Sequence, residues 1–203
     1  MLKKIILNHI KKYRNLYMAM STIFVLGICL SVGIINRLDE EKSEVVQKYF
    51  FEYKNNFANL NISNIKNLLL NGIFNKSRVI CILFVLACTV IFEKLIYFCV
   101  LYKGFSIGYS ISASIKVYGV RKGILFAVTT LGIQNIIYIP CIIFFSIYCI
   151  NFCKKMKNNN VDIKRCFLKL FVVFCIIILI SAISSSLEMF FSYKILKKIQ
   201  IFY

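Results

Sequence analysis

An all-α, polytopic transmembrane bundle of about five spans is the fold class this sequence predicts, with amphipathic helices in an extracytoplasmic segment. Three observations carry it. Hydrophobic residues make up 60% of the 203, above the roughly half-apolar average of soluble domains. They gather in blocks close to the ~20 residues that a helix needs to cross the hydrocarbon core. The 26 Lys and Arg, against 8 Asp and Glu, cluster at the ends of those blocks, where cations anchor helices among lipid headgroups. The lipid bilayer is therefore the first expected partner. The net charge of +18 would otherwise invite a nucleic-acid reading, but the positive residues form no single stripe, and no nucleic acid is expected to be a partner.

The first span is expected from Tyr17 to Ile35. It follows Lys3, Lys4, Lys11, Lys12 and Arg14, which resembles the charged start of a signal peptide. The apolar run is too long for a cleaved segment and no A-x-A site follows, so it is read as retained.

Residues 37–78 form the one sizeable hydrophilic segment. Val45, Val46, Tyr49, Phe50, Tyr53 and Phe57 recur at three- and four-residue spacing, as do Ile62, Ile65, Leu69 and Ile73. Both patterns describe amphipathic helices. Asp39, Glu40 and Glu41 fall near the start of the first, where the helix dipole favours anions. Lying on the bilayer surface and packing over the ends of the spans both fit.

The remaining spans are expected at Val79–Tyr102, Gly104–Val120, Gly123–Phe152 and Phe167–Phe191, all within a single membrane domain over 1–203. The third is short and uses Lys103 and Lys116 as snorkelling ends. The links between spans two and four are short enough for a tight hairpin or a re-entrant pair. Glu93 and Lys94 interrupt span two, either pairing inside the bundle or marking the interface. The basic N-terminus and the cluster Lys154, Lys155, Lys157, Lys164 and Arg165 fall on one side of a five-span chain. The positive-inside rule makes that side cytoplasmic, with the 37–78 segment and the C-terminus outside.

Several residues stand out within the spans. Gly104, Gly108 and Ser112 are spaced by four, as are Ser106, Ser110 and Ser114. Small residues at that spacing let helix backbones approach closely, either inside this chain or against a partner's helix. Pro140 cannot donate to the carbonyl of Ile136, so a kink or break is expected there. Gln134 and Asn135 lie near enough to bond the freed backbone. Glu188 is an ionisable group near the end of the last span, where such a group is a functional candidate.

Catalysis finds no support. No Ser, Cys or Thr has a base at a suitable spacing, His9 lies in the basic tail, and no H-E-x-x-H, nucleophile-elbow or P-loop pattern occurs. The nine cysteines form no CxxC pair, so neither a metal site nor a cofactor is expected, and the thiols read as small buried hydrophobes.

The order of features resembles the stage II sporulation protein M family of endospore-forming bacteria, over nearly the whole chain. The resemblance runs through the basic N-terminus with His9, a first span ending in Gly33-Ile34-Ile35-Asn36, and Tyr49-Phe50 in the hydrophilic segment. It continues with Lys103-Gly104-Phe105-Ser106-Ile107-Gly108, Gln134-Asn135 followed by Ile139-Pro140, and Glu188 in the last span. The chain departs from the family pattern at Phe92-Glu93-Lys94 and at Gly132-Ile133. The resemblance implies a role in engulfment, when the mother-cell membrane migrates around the forespore. The chain would anchor two peptidoglycan-degrading proteins, stage II sporulation proteins D and P, at the septal membrane without being an enzyme itself. Tyr49, Phe50, Tyr53 and Phe57 outside, and Gly104, Gly108 and Ser112 in the membrane, are the expected contacts; a homo-oligomer stays open. The competing expectation is a small transporter or lipid-translocating subunit built on the Gln134–Pro140 break and Glu188.

Overall fold

The computed structural model describes residues 10–37, 44–45, 48, 62–89, 93–128, 132–157 and 162–200, the side chains of 62–68, 133–134 and 188–200 excepted. Six helices are delimited among these residues, and no strand: α1 Arg14–Asn36, α2 Ile62–Thr89, α3 Glu93–Tyr118, α4 Val120–Ala127, α5 Ile133–Lys157 and α6 Ile163–Gln200. Five stretches are long and apolar enough to cross a membrane: Arg14–Asn36, Leu69–Thr89, Glu93–Tyr118, Asn135–Lys157 and Ile163–Leu187. In lipid a helix satisfies its own backbone, and several hydroxyls bond to it in turn. Ser31 Oγ donates to the Ile28 carbonyl over 2.6 Å and Ser181 Oγ to that of Ile178 over 2.8 Å, so these polar groups present no unmet donor.

Contacts between helix ends fix the direction of each span. Lys116 Nζ donates to the Ile35 carbonyl over 3.3 Å, so α1 and α3 finish together. Lys157 Nζ meets Glu93 Oε2 at 2.8 Å, bringing the end of α5 to the start of α3. Cys153 Sγ lies 3.5 Å from the Ala87 carbonyl, so α2 and α5 also finish together. Ser185, late in α6, packs beside Gly72 in the first half of α2. Successive spans therefore run antiparallel. One end of the bundle gathers the starts of α1, α3 and α6. The opposite end holds the finish of α1, the start of α2 and the short helix α4.

α5 is the central element and touches α1, α2, α3 and α6. Tyr138, Ile142, Phe145, Ile147, Cys149, Ile150, Phe152 and Cys153 are all buried on it, as befits a helix apolar around its whole circumference. Phe84 of α2 meets Phe167, Phe171 and Phe174 of α6 at centroid distances of 6.1, 6.3 and 4.4 Å, within the range of favourable aromatic pairs. Outward faces remain apolar, with Leu168, Leu179 and Ile183 of α6 exposed toward the surroundings. All nine cysteines are free; Cys149 and Cys153 are buried, whereas Cys29, Cys81, Cys88 and Cys175 are exposed. The reading of these thiols as uniformly buried hydrophobes does not hold for those four.

The helix bounds differ from the expected spans in the middle of the chain. No break falls at Lys103: α2 is delimited at Thr89, and α3 runs unbroken from Glu93 through Lys103 to Tyr118. The cost of charge explains the shift. Each ionised group at the centre of a spanning helix costs about 3 kcal/mol. A break at Lys103 would leave Glu93 and Lys94 inside span two, whereas α3 opens at these two residues and carries Lys103 within the bundle beside Lys76. Glu93 then also opens α3, where the dipole favours an anion. Ile62, Ile65, Leu69 and Ile73, expected on a separate amphipathic helix, belong to the first turns of α2. Within the expected span at 123–152 two α-helices are delimited, α4 over Val120–Ala127 and α5 from Ile133, and the described residues between them, Val128 and Gly132, are π-helical.

Candidate functional site

The closest helix contact lies between α1 and α3. A Cβ on Gly27 would collide with the Leu101 carbonyl and come within 2.8 Å of the Phe105 nitrogen; one on Gly104 would collide with the Phe24 carbonyl. At Gly108 it would meet Ser31 Oγ and lie 2.8 Å from the Ile28 Cα. Four small residues, Gly27 and Ser31 on one helix and Gly104 and Gly108 on the other, thus let two backbones touch. In lipid, where apolar burial gives no net drive between helices, such packing holds them together. Gly104 and Gly108 are buried in this seam, which leaves them no face for a second helix. Ser112, one turn further along α3, is half-buried.

A second constellation brings charge into the bundle. Tyr138 of α5, 1% exposed, donates its hydroxyl to the Lys76 carbonyl of α2 over 2.8 Å. The Lys76 ammonium lies 5.9 Å from the centroid of the same ring and the Lys103 ammonium of α3 lies 5.0 Å from it. Lys76 is itself 6% exposed. One ring thus carries two cations from two helices, and its quadrupole offsets part of their desolvation. Ser181, Ser184 and Ser185 of α6 are buried near the same half of α2; Ser185 Oγ is satisfied by the Ser181 carbonyl at 3.1 Å. The arrangement couples α2, α3 and α5 at one depth. It brings together no nucleophile and base, and among the described residues no group of three or more His, Cys, Asp or Glu could hold a metal.

The other singled-out residues are dispersed. Tyr49, Phe50, Tyr53 and Phe57 lie outside the described residues, as does Val46; Val45 is exposed. Gln134 and Glu188 stand on the helical backbones of α5 and α6, their side chains outside the described set, and Asn135 is half-buried. Pro140 is exposed and α5 continues through it from Ile133 to Lys157, so no break in the helix occurs there. At the eighth residue of α5 it removes the one backbone bond to the Ile136 carbonyl, and the helix continues past it.

Sequence reasoning missed the α1 half of the seam and the lysine pair. Gly27 and Ser31 share the four-residue spacing that marks α3, so that signal was present. Lys103 reads in the sequence as the end of a span, and only its distance from Tyr138 shows it working inside.

No curated protein and no solved structure matches the chain. The model of one family, stage II sporulation protein M, matches residues 20–193, a stretch that begins within α1, takes in every element through α5 and ends within α6. A multi-pass membrane protein connected with sporulation, this chain belongs to the stage II sporulation protein M family.

Proposed function

We propose that the chain is a non-enzymatic scaffold that recruits and anchors peptidoglycan hydrolases at the mother-cell septal membrane for engulfment of the forespore. Stage II sporulation proteins D and P are the proposed clients, and the cell-wall chemistry is theirs. The observation that carries this reading is the family match across residues 20–193. The geometry supports it: the seam, the aromatic cluster and the Tyr138 layer all serve packing within the bundle, as a fixed platform requires.

Orientation supports it as well. Arg14, Lys154, Lys155, Lys157, Lys164 and Arg165 collect at the end where α1, α3 and α6 start, and the positive-inside rule makes that end cytoplasmic. The segment between α1 and α2 then emerges outside, on the side of the cell wall, and Tyr49, Phe50, Tyr53 and Phe57 are its aromatic anchors for a partner. The transport alternative draws on a broken helix at mid-membrane, and α5 runs unbroken through Pro140.

The test is co-purification of proteins D and P with the detergent-solubilised full chain. Capture by the wild-type chain, weakened at least tenfold by Tyr53→Asp (about 1.4 kcal/mol), is expected. Absence of capture by the wild-type chain rejects the scaffold; undiminished capture by the variant moves the contact elsewhere.

A further inference from the structure

We draw no further inference here: the strongest candidate, the side-chain cluster in which the ammonium groups of Lys76 and Lys103 meet the ring of Tyr138 inside the bundle, belongs to the packing layer already described, and both lysines are already engaged there.

Discussion

Tyr138 shows how a single side chain joins three helices. Its hydroxyl bond to Lys76 is one interaction of ordinary strength, and its ring supplies apolar volume and a seat for two ammonium groups. Tyr138→Phe should therefore cost about 1 kcal/mol of stability, and Tyr138→Ala about 4 kcal/mol, through the cavity and the loss of the ring beneath two cations. Detergent unfolding of the purified protein checks the ratio; equal losses would mean that the hydroxyl, not the ring, matters. Ser146 offers the reverse case. Its Oγ is buried in α5 without a hydrogen-bond partner, so Ser146→Ala should not lower the unfolding midpoint. Very little of this was legible in the residues. A lysine within an apolar block shows in the sequence, but whether it ends a helix or enters the bundle depends on which neighbouring helix offers it a ring. That ring, Tyr138, is 35 residues along from Lys103.

Between elements, the α1–α3 seam sets the tightest constraint. Gly27→Leu or Gly108→Leu should destabilise the fold by about 2 kcal/mol, because the added side chain meets backbone that cannot move independently. Gly33→Leu, at a glycine with nothing within 4 Å, should be tolerated, and the contrast within one helix separates seam packing from a general dislike of glycine loss. Comparison of the unfolding midpoints of the three variants decides it. The α3 half of this seam was readable because small residues at four-residue spacing have one common use in lipid. Which helix would accept it was not readable: α1 and α3 are separated by all of α2, and spacing alone does not say whether the partner is internal. The lengths of the apolar blocks did predict helices for every span. Their ends differ because Glu93 and Lys94 open a helix while Lys103 lies within one, against the ring of Tyr138.

For the whole molecule, five antiparallel spans follow from length, hydropathy and the ties at helix ends, and the fold class was legible for the same reason: a chain 60% apolar in long blocks has few ways to satisfy its backbone. The Glu93–Lys157 tie is a marker of this arrangement more than a support. Lys157 is half exposed, so Glu93→Gln should leave stability nearly unchanged, whereas cysteines introduced at positions 93 and 157 in a background with the nine native cysteines replaced should be joined by a bifunctional thiol reagent about as long as the two side chains. Failure to cross-link would place α3 and α5 otherwise. The partner-binding surface was not legible to the same degree, since aromatic residues on an amphipathic segment serve lipid and protein alike. What the bundle is for can be measured in sporulating cells by following fluorescently labelled stage II sporulation proteins D and P with and without this chain. Both should gather at the septal membrane when it is present, and disperse, with engulfment arrested and vegetative growth unaffected, when it is deleted. Hydrolases that still collect at the septum in its absence would contradict the scaffold.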